Sequence, residues 1–340
     1  MSTGAAVPPF FSIVMPTYQR RESLRRTLET LARVEYPADR MELVLVSDGS
    51  TDGSLEMARS LGLPFTLRTL EQRNQGPAAA RNLALESARG PFVLFVDDDV
   101  LVSPGLVAAH AAAHVEGRGQ ERGEDRVVIG TLLPPDVLRS PWVQWELDTG
   151  VKQYDAMLEG RYEPTPRQFY TGNASVRLEH VLGAGGFDVD FRRAEDVELA
   201  FRLEKRGLRF VFRPEASAVH MADRSLRSWM GAAYQYGRND VVLGTRRGRP
   251  DMLGAIAREF WERNPLTRLL VRGGLRVRGV ERVLAPPAAA AASVALRLRR
   301  RRLSHSVCSA LFSLAYWRGV GDELGAPSAA RELIRQGAPT

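Results

Sequence analysis

The stretch Pro91-Phe-Val-Leu-Phe-Val-Asp-Asp-Asp99 decides how the rest of the chain is read. Through Val96 it is an apolar run with the length of a buried strand. It then stops abruptly in three adjacent carboxylates, Asp97, Asp98 and Asp99. Packing does not explain such an ending, because like charges repel and desolvating them without a counter-charge is costly. A divalent metal carrying phosphate oxygens is the simplest counter-charge. The run therefore points to an enzyme that handles a nucleoside diphosphate.

Upstream of this run, strand and helix signals alternate. Residues 11–15, 43–46, 65–70 and 91–96 read as strands. Residues 22–34, with Leu24, Leu28 and Leu31 at helical spacing, read as a helix, as do 54–61 and 76–87. Pro77 falls in a first helical turn, where its missing N–H costs nothing. The alternation predicts an α/β fold, a mostly parallel, doubly wound sheet with helices on both faces. Ligands bind such sheets beyond the carboxyl ends of the strands. The polar clusters Thr17–Arg20, Ser47–Asp52 and Asp97–Asp99 fall there. Residues 115–126, charged and glycine-rich, are expected to form a mobile loop. Residues 127–220 mix α and β signals, and helical patterns dominate after Ser225. The segment from Leu243 to Pro250 breaks the pattern, so a catalytic domain is expected over 1–245 and a basic helical region over 246–340.

The 340 residues are 44% hydrophobic, enough for a real core, and the single Cys308 excludes an intrachain disulfide or a cysteine-only zinc cluster. That cysteine usage fits a reducing compartment. Net charge is +7, yet 18 arginines and 7 acids lie from residue 241 onward, which leaves a small negative surplus in the part before. Lysine occurs only at 152 and 205. The opening residues do not read as a secretory signal, and no uninterrupted apolar run reaches the ~20 residues of a bilayer span. The turn after the first strand, Pro16-Thr-Tyr-Gln-Arg-Arg21, has no glycine, which argues against a dinucleotide-binding enzyme; a P-loop is also missing. Asp48-Gly-Ser-Thr-Asp-Gly53 is not an EF-hand, since Arg59 stands where the twelfth-position glutamate belongs.

Six ordered motifs between Phe11 and Gly237 are similar to those of the family 2 glycosyltransferases, inverting enzymes with a GT-A fold. They are Val14-Met-Pro-Thr-Tyr18, Val46-Ser-Asp-Gly-Ser-Thr-Asp52, Gly76-Pro-Ala-Ala-Ala-Arg-Asn82, Phe95-Val-Asp-Asp-Asp99, Gly185-Gly-Phe-Asp188 and Ala194-Glu-Asp-Val-Glu-Leu199. Any one alone is weak; all six in order are strong. The resemblance implies a Rossmann-like GT-A domain followed by a C-terminal helical region. It also implies transfer of a hexose or related sugar from a nucleotide-sugar donor, a UDP-sugar favoured, to an acceptor hydroxyl, in polysaccharide or glycoconjugate biosynthesis.

The resemblance further assigns roles. Pro16, Thr17, Tyr18, Arg20, Asp48, Arg81, Asp97 and Asp98 would form the donor side, with Asp48 on the base, Arg81 on base or diphosphate and Asp97 on the ribose. Asp99, joined by His220, would hold Mn²⁺ or Mg²⁺. Asp196 would be the general base. Asn173, Gly186, Glu195 and Arg202 would lie on the acceptor side, with Arg202 orienting an acid or lying on the surface. Other readings stand beside these: Asp48 or Asp196 as turn or cap residues, with Asp52 the better helix cap, and His220 as a structural histidine. Alternation along an extended segment puts Asp97 and Asp99 on one side and turns Asp98 elsewhere.

The segment Leu226–Arg238 resembles a helix that follows the catalytic domain in relatives and covers the acceptor. Beyond it, the basic segments 263–282 and 297–302 and the aromatic run 310–317 fit two arrangements equally. One is a helical hairpin on an anionic membrane surface of a cytoplasmic, peripheral enzyme. The other is a packed subdomain with a solvated basic face. The acceptor is expected to be a glycan, lipid or small molecule. Rival functions are a non-catalytic nucleotide-sugar-binding relative and nucleic-acid binding through the arginine tail. The run 297–302 lacks interleaved aromatics and any nucleic-acid motif, so no nucleic-acid partner is expected. A nucleotidyltransferase would need a glycine- and lysine-rich phosphate loop, and none is seen.

Overall fold

A computed structural model describes residues 7–116, 126–191, 193–277 and 279–338; the expected loop over 115–126 falls almost wholly outside them. In chain order the elements are β1 (Phe11–Thr17), α1 (Arg21–Leu31), β2 (Met41–Ser47), α2 (Ser54–Ser60), β3 (Thr66–Glu71), α3 (Pro77–Ser87), β4 (Phe92–Val96), β5 (Val100–Val102) and α4 (Leu106–Glu116). They continue with β6 (Arg126–Leu133), α5 (Pro141–Leu158), β7 (Asn173–Arg177), α6 (Leu178–Gly183), α7 (Glu195–Lys205) and β8 (Arg209–His220). Six helices follow: α8 (Leu226–Arg246), α9 (Asp251–Glu262), α10 (Pro265–Gly274), α11 (Val280–Arg297), α12 (Arg301–Glu323) and α13 (Pro327–Gln336).

The chain divides into two compact units, Met1–Asp136 with Gly150–Met221, and Val137–Thr149 with Ala222–Thr340. The expected boundary near 245 instead coincides with the end of α8, since that whole helix packs with the second unit. In the first unit the strands form one sheet in the order β3-β2-β1-β4-β7-β6-β8-β5. β3, β2, β1 and β4 run parallel, as do β6 and β8. β7 is antiparallel to both its neighbours, and β5 to β8. The expected mostly parallel sheet is thus parallel in its first half and mixed in its second, where strands no longer alternate regularly with crossover helices.

Side-chain alternation separates two apolar layers across this sheet. Phe11, Ile13, Met15, Leu43, Leu45, Leu94 and Val96 face Leu24, Leu28 and Leu31 of α1 together with α2 and α4. Val14, Val44, Val46, Val93 and Phe95 face Ala80, Ala84 and Leu85 of α3, and Leu199 and Leu203 of α7. Register then decides where function can sit. Thr17 pairs with Ser47, and Val14 with Phe95, so the ends of β1, β2 and β4 share one edge. Val100 pairs with His220, which sets the end of β8 beside Asp99.

In the second unit α8 and α12 cross at backbone contact. A Cβ on Gly237 would stand 2.0 Å from the Tyr316 carbonyl oxygen, and one on Gly319 would stand 2.0 Å from that of Tyr234. Tyr234 donates to Asp322, and Arg238 to Glu323, at 2.9 and 2.8 Å. Trp229, Cys308 and Leu311 form an apolar centre with Trp142, Trp145 and Phe312 around it. α11 runs on through Pro286 and Pro287. Among the described residues no helix is long and apolar enough to cross a membrane.

Asn173 departs from its expected acceptor-side place. It is 1% exposed and its amide is used up inside the first unit. Nδ2 donates to the carbonyls of Thr131 and Ala216, and Oδ1 lies 2.9 Å from His110 Nε2. That acceptor fixes the proton on His110 Nε2, so His110 Nδ1 accepts from Ser175 Oγ at 2.8 Å, and Ser175 Oγ accepts in turn from His114 Nε2 at 2.8 Å. With this direction of donation His110 must be neutral, since its Nδ1 accepts, while His114 donates through Nε2. Burial pushes His110 down to about 4 and His114 to about 3.

A free imidazole gains its proton near pH 6.5, so the unfolded chain binds more protons than the folded one as pH falls below that point. The stability these two histidines contribute is complete above pH 6.5 and drains away toward their folded values. Thermal unfolding of the wild type therefore loses more between pH 7 and pH 5 than that of His114→Gln, which carries one titrating group fewer. Equal slopes for the two proteins would contradict the neutral network.

Candidate active site

Three loops and two helix starts converge at the shared strand edge, all within the first unit. Asp48 closes β2, and its carboxylate shapes the loop before α3. Oδ1 accepts from Gln72 Nε2 at 2.7 Å and Gln75 N at 2.8 Å, and Oδ2 accepts from Gly76 N at 2.8 Å. Asp52 does the capping work. It accepts from Arg21 N at 2.9 Å and Ser54 N at 3.2 Å, the first residues of α1 and α2.

Of the three β4 aspartates, Asp98 turns inward. It accepts from Thr17 Oγ1 at 2.7 Å and from Arg20 at 3.3 Å, while Thr27 Oγ1 holds its carbonyl at 3.0 Å. Burial pushes its carboxyl up to about 7 against the pull of Arg20. It thus positions Thr17 and Arg20 from beneath. Asp99 has its oxygens divided: Oδ2 takes Arg20 at 2.5 Å, and Oδ1 lies 3.4 Å from His220 Nε2. Burial would raise its pKa, but the His220 and Arg20 contacts together outweigh that and hold the carboxyl well below the usual range. Pro16 is half-buried, and Tyr18 is exposed.

Asp97 looks the other way, to Arg81. The Arg81 side chain is buried, and its two terminal nitrogens go to carboxylates, Nη2 to Asp97 at 2.7 Å and Nη1 to Glu195 at 2.8 Å. The Phe187 ring lies 5.6 Å from its guanidinium carbon. Arg81 was expected to face base or diphosphate. It is instead the tie between the end of β4 and the start of α7, where a carboxylate on each side offsets the cost of desolvating the guanidinium. Glu195, expected on the acceptor side, is buried in that tie. Asp196 follows it, half-buried. Burial and the neighbouring Glu195 raise its pKa, opposed by Arg81.

The loop before α7 is held by Gly186 and Arg202, both expected on the acceptor side, and by Asn82 and Glu198, which had no assigned role in the sequence reading. Asn82 grips Phe187 from both sides, donating to its carbonyl and accepting from its N–H, each at 2.8 Å. Gly186 has φ +70°, and a Cβ there would meet Asn82 Oδ1 at 2.7 Å, so the turn needs glycine twice over. Arg202 donates to the carbonyls of Ala184 and Gly186 and, through Nε, to Glu198 at 2.8 Å. It therefore orients an acid, Glu198, and the loop. Asn82 was legible as the last residue of the Gly76–Asn82 motif. Glu198 lay inside the Ala194–Leu199 motif and carried an i, i+4 spacing to Arg202.

A divalent ion fits part of this arrangement. Asp99 and His220 present an oxygen and a nitrogen at a separation two ligands of one ion can span. Among the described residues no group of three such side chains converges. An ion here would complete its shell with substrate phosphate oxygens.

Residues 12–120 match the family described as Glycosyl transferase family 2. The chain is 29% identical over 252 residues to YfnE of Bacillus subtilis (strain 168), described as an uncharacterized glycosyltransferase, covering 62% of this chain and 64% of that one. It thus spans less than two thirds of that relative. Among solved structures it resembles the mannosyltransferase PcManGT from Pyrobaculum calidifontis in complex with GDP-Man and Mn²⁺, with TM-score 0.54, 19% identity, and 98% and 77% of the two chains covered. It also resembles S. aureus TarS 1–349 in complex with UDP-GlcNAc, with TM-score 0.52, 21% identity, and 93% and 92% covered.

Replacing Arg81 by methionine leaves Glu195 buried without its cation. Urea unfolding is expected to show a loss of about 3–5 kcal/mol, which Arg81→Lys recovers only in part because an ammonium lacks the two-pronged geometry. An unchanged midpoint would show that the tie is dispensable. Over residues 12–120 the chain is thus matched to glycosyl transferase family 2, and its α/β unit carries the GT-A fold.

Proposed function

We propose that the protein is a metal-dependent, inverting glycosyltransferase that moves a sugar from a nucleotide-diphosphate donor to an acceptor hydroxyl. The observation that carries this reading is the Arg81 tie, which gathers Asp97 on the donor side and Glu195–Asp196 on the acceptor side into one cluster.

Asp48 supports a uracil base. A carboxylate offers about four acceptor positions, and three are taken by Gln72, Gln75 and Gly76. One position remains, which suits the single imide N–H of uracil better than the adjacent N1–H and exocyclic amine of guanine. Asp97 is set to meet the ribose. Asp99 and His220 would hold Mn²⁺ or Mg²⁺, which when bound supplies positive charge to the departing diphosphate. Arg20, whose side chain is 45% exposed beside Asp99, adds a fixed cation.

Asp196 is the base. It takes the proton of the acceptor hydroxyl as that oxygen bonds to the anomeric carbon, and the carbon–oxygen bond to the diphosphate breaks on the opposite face. One displacement inverts the configuration. A base with a raised pKa is better matched to this task near neutrality than an ordinary aspartate. Glu195, Arg81, Asn82 and Arg202 fix where it stands without touching the sugar. The acceptor belongs to a glycan, a lipid or a small molecule, and the enzyme works in the cytoplasm, peripheral to the inner membrane face.

With UDP-sugars and Mn²⁺, Asp196→Asn is expected to abolish transfer and donor hydrolysis while keeping the nucleotide-dependent rise in Tm. Asp99→Asn should lose the metal-dependent part of that rise. The acid limb of kcat/KM should lie above the ordinary aspartate range, since activity requires ionised Asp196. Full turnover by Asp196→Asn would sink the assignment of the base. A larger Tm rise with GDP- than with UDP-sugars would sink that of uracil.

A further inference from the structure

Resting on the peripheral location just proposed, we infer that the corner between α11 and α12 is the membrane-binding element, a basic and apolar tip that seats on anionic lipid headgroups. α11 ends at Arg297, and α12 begins at Arg301. The corner is tight: Arg300 N bonds Ala295 O at 2.8 Å and Arg299 N bonds Leu296 O at 3.0 Å, with Arg299 at φ +58°.

Arg297, Arg299, Arg300, Arg301 and Arg302 are all exposed, and none makes a side-chain hydrogen bond or ion pair with a described residue. No acidic residue occurs between Glu281 and Asp322. Asp148, which packs against this part of α12, is taken by His305 at 2.9 Å. Elsewhere in the same unit arginines find carboxylates: Arg238 and Arg246 share Glu323 at 2.7 and 3.1 Å, and Arg318 lies 3.6 Å from Glu281. The tip is thus a concentration of positive charge that no described residue answers. Arg301 and Arg302 stand in the first turn of a helix, where a cation is disfavoured. An outside anion offsets both costs.

The choice of anion follows from what stands between the arginines. Val294, Leu298 and Leu303 are 55%, 65% and 55% exposed. Apolar side chains among guanidinium groups suit the boundary between headgroups and acyl chains. Residues 293–306 contain no Phe, Tyr or Trp, and the one imidazole there, His305, is held by Asp148, so no free aromatic face is offered to nucleobases. Lipid is therefore favoured over nucleic acid.

The test is co-sedimentation of the full chain with vesicles of phosphatidylcholine, with and without phosphatidylglycerol. The wild type is expected to bind only the anionic vesicles and to be released by salt. Changing Arg299, Arg300 and Arg301 together to serine should lower the partition coefficient by about a hundredfold. The pair Leu298→Ser and Leu303→Ser, which keeps all charge, should lower it by about tenfold. Arg299→Gly relieves the left-handed backbone, so its Tm should hold or rise while binding falls. Absence of binding, or binding by the triple variant equal to the wild type, overturns the inference. So does a DNA duplex that competes fully while the leucine changes have no effect, which would mark a nucleic-acid surface. The UDP-dependent Tm shift is read on the same proteins. Its loss in the wild type counts against the donor site, whereas a kept shift without vesicle binding counts against the tip alone.

Discussion

A single buried guanidinium, that of Arg81, makes the acid-rich edge of the sheet compatible with a folded chain. Asp97 arrives at the end of β4 and Glu195 at the start of α7, more than ninety residues later in sequence. Brought together without a cation, they and Asp196 would repel in a partly desolvated space. With Arg81 between them, each terminal nitrogen meets one carboxylate, and the two elements are locked at a fixed spacing. Arg20 repeats the device on the outer side, between Asp98 and Asp99. Five carboxylates are thus served by two guanidinium groups. An anionic diphosphate approaching such an edge needs further positive charge, and on the glycosyltransferase reading Asp99 and His220 are where it would be recruited. Burial, together with the same surplus of acid, raises the pKa of Asp196.

Precision at Asp196 comes from elements behind it. The turn at Gly185–Phe187 is irregular backbone, and irregular backbone holds its shape only if its polar groups are answered. Asn82, on α3, answers the N–H and the carbonyl of Phe187 together. Arg202, on α7, answers two more carbonyls and is itself steadied by Glu198 one turn away. The loop is therefore clamped to two helices that also form the core with Val14, Val93 and Phe95. A loop anchored this way places α7, and with it Asp196, through rigid parts.

The first half of the fold was legible because its physics is local. Leu24, Leu28 and Leu31 announce a helix face, and the apolar runs announce strands buried on both sides. The second half was not, because β5 has only three residues and the direction of β7 depends on partners distant in sequence. Site residues divide along the same line. Asp48, Asp97 and Asp99 are strand-end acids that a pattern of apolar runs exposes. Asn173 has the same look, a polar residue at a strand start, yet it serves His110 and two carbonyls in the core. Only knowing which side of β7 faces α4 separates these cases. Arg81 was found by its motif, but its partner Glu195 is a tertiary fact.

Arginine is used in two opposite ways in this chain, and the contrast bears on how its net charge should be read. With lysine nearly missing, arginine serves wherever a cation is needed, and in the first unit its planar fork is spent on carboxylates: Asp97, Glu195, Asp99 and Glu198. Those pairs cancel charge and fix geometry, so they add little to the field outside. The second unit spends some arginines likewise on Glu323 and Glu281. The α11–α12 corner does not. Its five guanidinium groups meet no acid among the described residues, and they dominate the local potential. A net charge of +7 is therefore a poor description of the molecule. What partners would sense is an acid-rich strand edge in one unit and a concentrated cationic corner in the other, and each calls for a ligand of the opposite sign.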